Sequence, residues 1–383
     1  MLEVSTRQLD EETFYGVKKL NIRGKSTDTP KKTVNLENLR EDIEIHAEFL
    51  GEIYKTFDKE RIRLLIEDEE KQVKINYNMN NLVKKAQHFS VEIMMFIPGL
   101  AYSNPSENEL TFIIATQKQY SDFYIVPTVE RLNKLMKNSN FTIQDYISLI
   151  KNYLNLLEGY PEKAVMGMVP INIPYQYIGE LMSIYIDRGI ESFCIDVGGR
   201  TALSLTQQII EVQRTLAKDK IDAFIHATNI NIGRAKKGSN TITAKDVLSL
   251  GLGFDSIGDN HLRPYIRDAI KNPVINLRLF DKDAYGYHKI QEAREIKEIY
   301  PVDSGVKPEY LLDDSLYRRR KAQATFNYEQ IGMETERLRK VIGEGAVGSY
   351  VRNKRYVDKD SFKAITKVKE GVSRVRSLEE FLR

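Results

Sequence analysis

"AVMGMVPINIPYQYIGELMSIYIDRGIESFCIDVGGRT", residues 164–201, decides how the chain folds. It opens on an apolar run and continues into a segment whose apolar positions Ile178, Leu181, Met182 and Tyr185 recur at helical spacing. Gly189 stops that helix, and a second apolar run, Phe193, Cys194 and Ile195, ends in Asp196 and the pair Gly198-Gly199. Neither run alternates with polar residues, which suits parallel strands covered on both faces. A strand, a helix and a second parallel strand make a right-handed βαβ unit. The unit repeats downstream: strand starts near Ala164, Ser192, Asp222 and Phe254 lie about 30 residues apart, and Leu205, Ile209, Val212 and Leu216 form the next helical face.

Extended to the rest of the chain, the pattern yields eight apolar runs rich in Ile, Val and Phe: "FSVEIMMFIPG", "LTFIIAT", "DFYIVPT", "AVMGMVPI", "SFCIDVGG", "DAFIHATNIN", "GFDSIGDNH" and "VINLRLF". Eight strands with helices outside predict an α/β fold, a (β/α)8 TIM-type barrel, with an open doubly wound sheet as the alternative. The second and third runs start only about a dozen residues apart, too close for a helical crossover, so one of them is expected to be a hairpin insertion. Upstream, residues 1–35 are polar and turn-rich and read as an arm or edge element. In "NLENLREDIEIHAEFLGEIYKTF", Leu39, Ile43, Phe49, Ile53 and Phe57 fall at roughly helical intervals, with Asn35 or Asn38 as the cap, which predicts an N-terminal helical segment. The expected division is 1–86 for the arm and helical segment, 87–290 for the barrel, and 291–383 for a basic, mainly helical C-terminal region.

The 383 residues carry a net charge of only +3, but unevenly. Residues 318–383 hold seventeen Lys and Arg against nine Asp and Glu, and residues 1–317 hold forty against forty-five. A basic tail on a mildly acidic body is the footprint of a polyanion partner, with "YRRRKAQ" and its Arg318, Arg319 and Arg320 as the densest point. The same lysines and arginines could simply solvate exposed helices. No apolar run approaches ~18 residues, so no membrane partner is expected. The acids in "MLEVSTRQLDEETF" argue against an export signal and for a cytoplasmic protein. The single cysteine, Cys194, excludes an internal disulfide and a multi-cysteine zinc site, and reads as a small core residue.

In a parallel barrel the polar residues just after each strand gather at one rim, where the chemistry sits. Here they are Asn172, Asp196, His226, Asn229, Asp255, Asp259, Asn260, His261, Asp281, Asp283 and His288. Gly198 and Gly199 serve either as a strand-to-helix turn or as a flat surface along which a base or phosphate can lie. Asp196 beside them would repel phosphate but accept hydrogen bonds from the N–H groups of a heterocycle. His226, His261 and His288 with Asp196 or Asp259 offer a rival reading, a metal-dependent barrel enzyme for a small molecule, although no HxH or HExxH is present. No GxSxG elbow supports serine catalysis.

The order "AVMGMVPINIPYQYIGELMSIYIDRGIESFCIDVGG", "DAFIHATNIN", "VLSLGLGFDSIGDN" resembles the second half of the tRNA-guanine transglycosylase barrel, over residues 163–262. The resemblance implies a pentosyltransferase that exchanges a guanine-type base for a 7-deazaguanine in tRNA or DNA through a carboxylate nucleophile. It implies Asp259 as nucleophile, His261 as acid/base and Asp255 as the alternative carboxylate. Asp196, Gly198, Gly199, His226, Asn229 and Asn172 would bind the base. Aligned without a gap, the family's aspartate falls on Gly258, and a one-residue bulge moves it to Asp259. The family's D-S-G-G-F-Q stretch and its C-x-C-x-x-C…H zinc site have no counterpart here, so the expectation is a divergent member with no metal and no cofactor, with a homodimer allowed. A non-catalytic nucleic-acid-binding paralogue is the further alternative.

Overall fold

Residues 2–28 fold as an antiparallel meander, Leu2–Leu9, Gly16–Ile22 and Lys25–Asp28. Its second turn is the two-residue loop Arg23-Gly24, both at positive φ, the hairpin turn that matches strand twist. The computed structural model describes residues 2–138, 141–262 and 275–381.

Nine strands form one curled parallel sheet: β1 (Lys31–Asn35), β2 (Leu50–Phe57), β3 (Met94–Leu100), β4 (Phe123–Ile125), β5 (Thr128–Val129), β6 (Ala164–Pro170), β7 (Ser192–Asp196), β8 (Phe224–Thr228) and β9 (Ser256–Ile257). Their spatial order is β4-β6-β7-β8-β9-β1-β2-β3-β5. The two end strands, β4 and β5, are successive in sequence, with only Val126 and Pro127 between them. Proline has no N–H to offer a ladder, and here it stands where pairing passes from β6 on one side to β3 on the other.

Helices Lys59–Glu67, Glu69–His88, Glu107–Tyr120, Ile143–Leu157, Gln176–Ile186 and Thr206–Lys218 fill the crossovers. Ile178, Leu181, Met182 and Tyr185 are buried as their spacing requires, and so are Leu205, Ile209, Val212 and Leu216. Cys194 is buried in β7. The C-terminal region is helical, with Leu316–Gly343, Val347–Arg352 and Lys359–Phe381. The first of these packs on β1 and the last on Thr206–Lys218, where Gly371 lies against Ile210. No helix among the described residues is long and apolar enough to cross a membrane.

Four sequence expectations change. Residues 50–57 are strand β2, not helix: Phe49, Leu50, Ile53 and Phe57 are buried because both faces of the strand are covered, which mimics a helical stripe. Asn35 does cap a turn, the short 3-10 segment Leu36–Asn38. "LTFIIAT" is helix, because Ser106 and Glu109 form a reciprocal capping box ahead of it. "VINLRLF" gives Leu277–Asp281, which pairs antiparallel with Gly286–Ile290 in a separate small sheet instead of joining the parallel one, its first residue Val274 lying outside the described residues. β1 has no apolar run at all. Residues 1–86 therefore supply two strands of the sheet as well as two helices.

The meander closes the N-terminal end of the sheet through ion pairs. Lys18 Nζ bonds Asp255 Oδ2 at 2.9 Å and the Ala223 carbonyl at 2.6 Å, and Lys25 Nζ bonds Asp122 at 2.7 Å. Each aspartate also accepts a main-chain N–H from the neighbouring strand, Asp255 from Ile225 and Asp122 from Met94. Burial pushes the Asp255 carboxyl above its ordinary range, and Lys18 counters this. Asp255→Ala, which leaves Lys18 without its carboxylate, should lower unfolding stability by about 3 kcal/mol in urea titration.

Candidate active site

At the C-terminal end of the sheet, β2, β8 and β9 converge on a fully buried carboxylate, Glu52. Glu52 Oε1 accepts from Thr228 Oγ1 at 3.0 Å and contacts His261 Nε2, while Oε2 faces His226 Nε2 at 3.3 Å. His226 Nδ1 meets Ser256 Oγ at 2.9 Å. The His261 ring lies flat on Tyr54, with centroids 4.5 Å apart and planes within 4°. Tyr54 in turn donates to Glu130 at 3.2 Å. Burial alone would raise the Glu52 carboxyl, but the two histidines hold it far below the usual carboxylate range. Burial likewise pulls His261 down, and the Glu52 charge more than offsets it, leaving the imidazole above its ordinary value.

Asn229, held at φ +55°, joins this cluster to the loop after β7. Its N–H donates to the Asp259 carbonyl at 2.8 Å, its Oδ1 accepts from the His261 N–H at 3.1 Å, and its Nδ2 donates to Asp196 Oδ1 at 2.9 Å. Asp196 takes two further donors, Gly198 N–H at 2.9 Å and Thr128 Oγ1 at 2.8 Å. Both of its oxygens are thus engaged within the protein, and it organises the loop. Gly198 and Gly199 have φ of +65° and +75°, and a Cβ on Gly198 would stand 2.4 Å from Asn172 Nδ2. The Gly199 N–H turns inward to the Asn229 carbonyl at 2.8 Å, so the pair offers a half-exposed flat main chain, not an anion cradle.

Asp259 is the open group of the rim. Its Oδ1 pairs with Lys32 Nζ of β1 at 2.9 Å, its Oδ2 accepts from Tyr328 OH, and its side chain keeps 22% of its surface accessible. Lys32 also donates to the Gly258 carbonyl at 3.0 Å and stands 5.2 Å from the Tyr328 ring centroid. Burial and the Asp259 charge push the Tyr328 phenol well above its ordinary value, so it remains a donor. Asp259, Lys32, Asn231, Arg278, Tyr287 and Tyr328 line a cavity of about 330 Å³. A Cβ on Gly258 would come within 2.0 Å of Glu52 Oε2, so position 258, next to Asp259, has no room for a side chain.

The structure therefore brings together Asp196, Gly198, Gly199, Asn172, His226, Asn229, Asp259 and His261. It separates Asp255, bound to Lys18 at the other end of the sheet. His288 lies in the small antiparallel sheet, 3.4 Å from Asp281, away from His226 and His261. Among the described residues no group of three or more His, Cys, Asp or Glu is arranged to hold a metal ion. Arg318 is committed to Asp42 and Asp313, both at 3.3 Å, while Arg320 lines the groove that adjoins the Asp259 cavity. Sequence reasoning missed Glu52, Lys32 and Tyr54, and it did not tie Tyr328 to Asp259. Glu52 and Tyr54 sit in a run that reads as helix, Lys32 in a polar strand, and Tyr328 in a helix distant in sequence. No family model matches the chain, and no curated protein matches its sequence.

The Glu52–His261 pair makes stability depend on pH in both directions. The share carried by the depressed Glu52 is present above about pH 4.3 and lost as pH falls further; the share carried by the raised His261 is present below about pH 6.5 and lost as pH rises through the folded value. Thermal melts across pH should peak between these limits. Glu52→Gln should cost about 3 kcal/mol near the peak and flatten the profile. An unchanged profile would show that the pair does not produce it.

Proposed function

We propose that the chain is a transglycosylase-like (β/α)8 enzyme that exchanges a guanine-type base for a 7-deazaguanine in a polynucleotide, tRNA or DNA. The barrel reading is supported by the succession of the two end strands. If 123–129 is taken as one strand, eight strands remain and every edge has a neighbour. The observation that carries the functional reading is the tie through Asn229. It holds the flat Gly198-Gly199 loop and the partly open Asp259 carboxylate on one rim, the two motifs on which the family resemblance rests.

In this reading Asp259 attacks C1′ of the sugar as the C1′–N bond to the base breaks. The electron pair leaves with the base, which takes a proton from water. The incoming base then loses a proton, attacks C1′ and releases Asp259. Lys32 and Tyr328 orient the carboxylate. His261, only 7% exposed and bound to Glu52, holds the rim in place instead of meeting the substrate. The base lies along Gly198-Gly199, whose missing side chains let it approach the main chain.

A second reading, a nucleic-acid-binding paralogue without catalysis, is favoured by one observation: both Asp259 oxygens already have partners. Incubation with tRNA or DNA and labelled guanine or a 7-deazaguanine distinguishes the two. The wild type should incorporate label and give a protein–polynucleotide adduct on denaturing gels. Asp259→Asn should abolish both, by about 10³-fold or more in rate, while affinity stays within a few-fold. Label incorporated at the wild-type rate by Asp259→Asn would rule out the nucleophile. Binding with neither adduct nor exchange in the wild type would favour the paralogue.

A further inference from the structure

Helix Glu69–His88, in the crossover between β2 and β3, carries a polar stripe with no part in the rim described above. Lys71, Lys74, Asn78, Asn81 and Lys85 follow one another at spacings of three, four, three and four, so they share one face over roughly 21 Å at 1.5 Å per residue. This face lines two hollows of about 470 and 740 Å³ that share Lys55 and Asn78. The larger hollow shares Gln323 and Ala324 with the Asp259 cavity. The three spaces thus adjoin one another in a row, a trough with the Asp259 cavity at its end. Its far wall is the start of helix Leu316–Gly343, with Tyr317, Arg320 and Lys321.

The trough is basic. Arg61, Lys71, Lys74, Arg320 and Lys321 line it, Lys71 in contact with Asp68, while Lys85 is tied to the carbonyls of Leu36 and Leu39 and Lys55 is paired with Glu37. Its acids are Glu37, Asp58 and Glu60, of which Asp58 caps the helix Lys59–Glu67, and, in the Asp259 cavity, Asp246 and Asp259, matched there by Lys32 and Arg278. Two large rings stand exposed here: Tyr317 on the trough wall, 67% exposed with Lys321 Nζ 4.6 Å from its centroid, and Tyr77, 66% exposed on the same helix as the polar stripe, three residues from Lys74. Exposed rings among cations suit unpaired bases, whose faces are free to stack; in a duplex those faces are hidden.

We propose that this trough is the track of a single-stranded stretch of polynucleotide. Phosphates follow Arg61, Lys74, Arg320 and Lys321, bases stack on Tyr77 and Tyr317, and the strand delivers a nucleotide towards Asp259. The last clause rests on the transglycosylase reading; the track itself does not.

The test uses the full chain as Asp259→Asn, so that binding is measured without turnover, and a fluorescein-labelled oligothymidylate alone or annealed to its complement. Anisotropy should show the single strand binding several-fold tighter than the duplex. Lys74→Glu with Arg320→Glu should weaken it by about tenfold or more and reduce the log–log salt slope by about two. Tyr77→Ala with Tyr317→Ala should weaken it by about fivefold or more and leave the slope unchanged. All four side chains are on the surface, and circular dichroism melts would confirm that the variants fold. Wild-type affinity in the charge-reversed protein, an unaffected tyrosine variant, or equal or tighter duplex binding would each overturn the proposal. Exchange by the otherwise native enzyme separates the two readings: trough binding without exchange removes the transglycosylase alone, and exchange untouched by the trough variants removes the track alone.

Discussion

A carboxylate taken wholly out of water has to be compensated, and Glu52, the third residue of β2, draws its partners from β8 and from the turn after β9. Thr228 and His226 come from β8 and His261 from the turn after β9, while Glu52 itself sits in β2. Tyr54, two residues along the same strand, presses flat against His261. Asn229 extends the arrangement to Asp196 and from there to Thr128 in β5. The positions of Asp259 and of the glycine loop follow from this. Gly258 must lack a side chain because Glu52 occupies its space, and the left-handed backbone of Asn229 goes with four polar groups that face four different partners.

The opposite end of the sheet uses the same device. Asp255 and Asp122 sit just before their strands, take main-chain N–H groups from neighbours, and receive Lys18 and Lys25 from the meander. Charge closes one end and builds the site at the other. Aspartates only four residues apart, Asp255 and Asp259, therefore have unrelated roles, decided by which side of a two-residue strand each one flanks.

The repeated βαβ spacing from 164 to 257 was legible because helices there bury one clean face and strands are apolar on both. The first third was not. β2 has a burial pattern that coincides with helical periodicity, and β1, "KKTVN", contains one aliphatic residue. Ser106 and Glu109 spell a helix start ahead of "LTFIIAT", a signal that outweighs the β-branched residues inside it. At the rim, the polar residues that follow strands were readable as a group. Lys32 and Tyr328 were not, because a lysine in a polar strand and a tyrosine in a charged helix look like surface residues until Asp259 is placed between them.

The pairing of β1 with β9, Lys31 opposite Ser256 and Lys32 opposite Ile257, joins residues more than two hundred positions apart. During synthesis β1 can pair with β2 early, but its other edge stays open until residue 257 has left the ribosome. At a few to tens of residues per second, that is a wait of order ten seconds or more. An open edge rich in aliphatic residues would invite other chains, whereas lysines discourage such pairing. Lys31 and Lys32 are thus suited to guard the nascent edge. When β9 arrives, the same two side chains are buried, Lys31 against Glu48 and Lys32 against Asp259, so that the sentinels of the unfinished sheet become internal parts of the finished one.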